Sequence, residues 1–66
     1  MENFHSQNDS KNKVQKALAT LRLIGELYLR GKLHDPHWDD RKAADYFYGL
    51  AWDLELRFWV LLHADP

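Results

Sequence analysis

The chain contains no cysteine. Disulfides and thiolate metal ligands are therefore both absent, and with them the staples that most often stabilise a domain this small. No apolar run is long enough to cross a bilayer. The densest, Phe58 to Leu62, falls far short of the roughly twenty residues a spanning helix needs and follows the charged Asp53, Glu55 and Arg57. Glu2, Asn3, His5, Ser6, Gln7, Asn8 and Asp9 make the start polar, which speaks against a secretory leader. The expectation is a cytoplasmic protein with no membrane association. Neither sign of charge is in excess. Nine Lys and Arg oppose ten Asp and Glu, so the net charge of −1 lays down no broad electrostatic footprint for nucleic acid.

The vocabulary of catalysis is thin as well. Cysteine nucleophiles are absent, and no serine is assigned a catalytic role. The pair of Glu-x-x-His segments with which helical bundles hold two metal ions is missing. His63 reads as a helix-end residue, where a positive imidazole is favoured. The expectation is a protein that is not an enzyme and carries no cofactor.

What is present is an aromatic-rich globular composition, 45% hydrophobic, with three each of Trp, Tyr and Phe. A 66-residue chain has room for one domain and buries only roughly 60% of the surface its unfolded form exposes. Without a covalent staple, association with another chain is the remaining common way to add core, most directly with a second copy.

Residues 1–9 have the polar composition of a flexible tail, and residues 10–66 form the domain. Asp9 or Ser10 is a candidate cap. From there Val14, Ala17, Leu18, Leu21, Ile24, Gly25 and Tyr28 recur on a 3.6-residue period, predicting helix one over about 10–31. Gly31 suits its end, because glycine adopts the left-handed conformation at little cost. Asp35-Pro36 reads as a cap with proline in the first turn, so helix two runs over about 36–63, or starts after an irregular turn near Asp40. The class is all-α, a two-helix antiparallel hairpin expected to dimerise into a four-helix bundle.

Helix two carries more apolar surface than one neighbour can cover. Ala43, Ala44, Phe47, Leu50, Ala51, Leu54, Phe58, Leu61 and Leu62 form its core face. Tyr48, Trp52, Glu55 and Trp59 form a second stripe beside it, and together they span roughly 200° of the helix, about twice the usual buried arc. The second stripe is a dimer core or a partner-binding face, and both are interactions.

Charge is distributed unevenly. Between Ser10 and Leu33 six basic residues oppose one acidic, a net +5, whereas from His34 onward three basic oppose seven acidic, a net −4. Such halves attract each other in an antiparallel pair, within a chain or between chains. Lys13, Lys16 and Arg30 flank Leu23 and Leu27 on the outer side of helix one and are the candidate nucleic-acid contacts. In the turn, His34, Asp35, His37, Asp39 and Asp40 gather metal-ligating atoms without a known site spacing. Helix capping explains the carboxylates without a metal, so His34 and His37 are only weak metal candidates.

The segment Leu21-Arg22-Leu23-Ile24-Gly25-Glu26-Leu27-Tyr28 resembles one helix of the HEAT-type domains found in translation initiation scaffolds. The rest of the chain does not follow the resemblance, and such domains stack several helix pairs, so no functional residue is carried over. The expected function is a small regulator, adaptor or inhibitor that binds another protein through its aromatic helical surface. A dimeric RNA-binding regulator and an accessory subunit of a larger enzyme are the alternatives.

Overall fold

The computed structural model describes residues 2–63, with side chains from residue 9 onward. Met1 and residues 64–66, including Asp65 of the acidic half, lie outside the described residues. Three helices follow in order: α1 (Glu2–Leu29), α2 (Asp40–Arg57) and a short α3 (Trp59–His63). The chain is all-α, and its two main helices pack against each other as a helical hairpin.

α1 starts earlier than the expected boundary near Ser10, so Asp9 and Ser10 lie inside the helix and do not cap it. Glu2 to Asp9 contains neither proline nor glycine, and extending an existing helix orders one residue for each hydrogen bond gained. At the other end the chain leaves α1 as the sequence predicts. Gly31 has φ +72°, the Lys32 N–H donates to the Leu27 carbonyl at 2.8 Å, and the Gly31 N–H donates to the Tyr28 carbonyl at 3.1 Å. This pair of bonds is the Schellman arrangement, which satisfies carbonyls the helix leaves open.

The start near Pro36 is not the one adopted; helix two begins at Asp40. Asp35 organises a turn instead. Its Oδ1 accepts from the His37 N–H at 2.8 Å and its carbonyl accepts from the Trp38 N–H at 3.2 Å. Proline's fixed φ serves the second position of a β-turn as well as the first turn of a helix, so the Asp-Pro pair alone leaves the choice open. Asp39 occupies the N-cap position with extended backbone but without a side-chain capping bond.

A single helix to His63 is also not what forms. The backbone turns out of α2 at Phe58 (φ −110°, ψ 26°) and resumes as α3. Phe58, expected in the core, is exposed at this break, while Leu61 and Leu62 pack against Val14, Leu18 and Ala51. The core is thin. Its buried apolar side chains are Val14, Leu18, Ala43, Ala44 and Ala51, and among the described residues no large side chain is fully buried. The shape is correspondingly long, 48 × 18 × 17 Å.

Candidate interaction face

Two faces of the second helix separate at Glu55. Tyr48, Trp52, Glu55 and Trp59 share one side by their spacing of four, three and four, yet their environments differ. The Tyr48 ring lies on α1, where a Cβ added at Gly25 would meet Tyr48 Cε2 at 2.9 Å. Glu55 is held within the hairpin. Its Oε1 accepts from Arg22 Nη2 at 2.8 Å, its Oε2 lies 3.4 Å from His63 Nε2, and its side chain is only 18% exposed. The Trp59 ring sits over the His63 ring within α3, with centroids 3.7 Å apart, and the contact of His63 with Glu55 ties α3 to α2.

Trp52 has no such tie and is 57% exposed. Leu56 and Val60 join it on the outside at 50% and 79%, next to the half-exposed Trp59. Trp52, Leu56, Trp59 and Val60 fall at i, i+4, i+7 and i+8, the repeat of a helix face prepared to bury itself. Leu56 and Val60 are absent from the sequence-derived stripe, although that repeat was the signal that identifies them. A cleft of about 330 Å³ runs beside this strip between α1 and the second helix, lined by Gln15, Leu18, Ala19, Arg22, Glu55, Leu62 and His63. His63, which lines the cleft, also carries the Trp59 ring.

A second aromatic cluster closes the turn end. Trp38 meets Tyr46 edge-on at 4.9 Å and Phe47 at 6.4 Å, and Phe47 stacks on Tyr28 at 5.8 Å. Sequence periodicity does not settle the placement of Trp38, because it precedes the helix; the structure packs it inward, with 40% still exposed. Tyr46 lies inside α2, and it was missed because its contact is with Trp38, which stands outside the helical period.

The candidate nucleic-acid contacts are not brought together. Lys13 and Lys16 are exposed on α1, whereas Arg30 lies fourteen residues past Lys16, about 21 Å along the axis. Arg30 Nη2 also donates to Glu26 Oε1 at 3.0 Å, which takes part of its charge out of play. Of the turn donors, His34 Nδ1 lies 3.3 Å from Asp40 Oδ1, and among the described residues no three His, Asp or Glu side chains converge. No helix among the described residues is long and apolar enough to cross a membrane.

Fold and face together define a small helical hairpin that leaves one aromatic side uncovered. Compared with protein families, curated proteins and solved structures, the chain matches none of them.

Proposed function

We propose that this chain is a non-enzymatic protein-binding module, a regulator, adaptor or inhibitor that acts by occlusion or scaffolding through the face formed by Trp52, Leu56, Trp59 and Val60. The observation that carries this reading is the exposure of these four large apolar side chains, two at the end of α2 and two at the start of α3, at helical spacing in the chain. Contiguous exposed apolar surface rimmed by polar groups is characteristic of interaction sites. Tryptophan supplies wide, rigid contact area at small entropic cost and dominates binding energies where it is buried by a partner. Glu55, pinned by Arg22 and His63, serves this face by fixing the helices that present it and not by contact with the partner.

Photo-cross-linking tests the reading. A photoreactive residue at Leu56 should capture protein, a further copy or another chain, when the full-length protein is irradiated in the cells that make it, and one at Thr20 on the outer side of α1 should not. Equal yields from the two positions, or products from Leu56 that disappear on nuclease treatment, would remove the proposal. The second of these outcomes would favour RNA binding at Lys13 and Lys16.

A further inference from the structure

We infer that the turn end of the hairpin carries a small-ligand site, separate from the Trp52 face, whose fitting ligand is a zwitterion bearing a planar ring, the chemistry of a free aromatic amino acid. A cavity of about 410 Å³ opens there, lined by His37, Trp38, Asp39, Lys42 and Tyr46. That volume lies within the roughly 300–1,000 Å³ typical of small-molecule sites.

Two aromatic walls call for a ring. Trp38 and Tyr46 meet edge-on, with planes inclined at 72° and centroids 4.9 Å apart. A third ring laid against one wall presents its edge to the other, so that offset stacking and edge-to-face contact, the two geometries aromatic pairs prefer, are available together. The walls are set before a ligand arrives. Tyr46 stands edge-on to Phe47 at 5.3 Å, and Phe47 stacks on Tyr28 of α1. On the other side, the bonds that the His37 and Trp38 N–H groups donate to Asp35 fix the backbone that carries the indole. Side chains already held in place cost little further ordering on binding. Tyr46 keeps half of its surface exposed and Trp38 nearly as much, which leaves ring surface for a ligand to cover.

Charge specifies the rest of the ligand. Asp35 Oδ1 accepts from the His37 N–H, and Asp40 Oδ1 lies 3.3 Å from His34 Nδ1. Asp39, between them, makes no capping bond, and among the described residues neither it nor Lys42 enters an ion pair. One carboxylate and one ammonium group therefore border the cavity without a partner in the fold. A ligand with a single charge of either sign would meet one of them as a like charge. A zwitterion meets both as opposites, its ammonium toward Asp39 and its carboxylate toward Lys42.

L-Phenylalanine is the probe, titrated to tens of millimolar into the isotope-labelled full chain while the indole N–H resonances are followed by NMR. The expected result is a saturable shift of the Trp38 indole with a midpoint in the millimolar range, with the Trp52 indole left in place. Hydrocinnamate, which lacks the ammonium, and phenethylamine, which lacks the carboxylate, should each bind about two- to fivefold more weakly, the range of an exposed ion pair. L-Alanine, which lacks the ring, should not move Trp38. Lys42→Gln should weaken L-phenylalanine by a similar factor without weakening phenethylamine, and Asp39→Asn should do so without weakening hydrocinnamate, a pattern that loss of folding cannot produce. No saturable shift at Trp38, equal binding of the three ring compounds, or a response centred on Trp52 would each overturn the inference.

Discussion

The ring of Tyr48 rests on the bare backbone of Gly25, the closest approach of the two main helices at any glycine. A Cβ at Gly25 would stand 2.9 Å from Cε2, 3.1 Å from Cδ2 and 3.2 Å from Cζ of that ring. Three atoms of one rigid ring cannot step aside as a flexible chain end could. Gly25→Ala should therefore destabilise the hairpin by about 1–3 kcal/mol despite alanine's better helix propensity. Urea denaturation monitored by circular dichroism checks this, and Tyr48→Ala in the same chain should make the added methyl far less costly.

Gly49 is the opposite case. It lies in the middle of α2, exposed, with nothing within 4 Å of an added Cβ and no positive φ to protect. In the isolated hairpin, Gly49→Ala should raise stability by about 0.5–1 kcal/mol through the smaller backbone entropy of the unfolded chain.

Glu55 joins both main helices and α3. A double-mutant cycle between Arg22→Ala and Glu55→Ala should give a coupling of about 0.5–1 kcal/mol, in the upper part of the range for exposed pairs, because Arg22 is half exposed but Glu55 is not. Molar salt should reduce that coupling. A coupling indistinguishable from zero at low salt would mean that the ion pair contributes nothing to holding α1 on α2.

Trp38 fastens the turn to α2 through Tyr46 and Phe47. Trp38→Ala should cost about 1–2 kcal/mol, less than a fully buried tryptophan because 40% of this one is already exposed. Near-ultraviolet dichroism should lose the signal of the Trp38–Tyr46–Phe47 cluster while the far-ultraviolet helix signal persists.

The turn should not behave as a zinc site. Only His34 and Asp40 approach each other there, and a structural zinc site needs about four converging ligands. Micromolar zinc is expected to leave the melting temperature unchanged. A rise that disappears in His37→Ala would reinstate the metal reading.

Local chemistry alone determined much of this protein. The apolar period of Val14, Leu18, Leu21 and Gly25 specified the inner face of α1, because residues three and four apart share a side of a helix whatever lies opposite. Gly31 specified its end, because the left-handed conformation there suits a residue without Cβ. The surplus of aromatic surface on helix two was legible for the same reason of periodicity.

Only the tertiary structure decided the rest. Pro36 satisfies a turn and a helix start equally, and the choice fell to the turn bonds of Asp35 and to Trp38 packing on a helix that had yet to begin. Glu55 shares a stripe with Trp52 by spacing, but Arg22, distant in sequence, and His63 draw it inward while Trp52 stays outside. The break at Phe58 has no proline or glycine to announce it, and Leu61 and Leu62 beyond it pack on Val14 and Leu18. Periodicity reports which side of a helix a residue occupies; how deeply its side chain is covered depends on neighbours that the chain brings close only by folding.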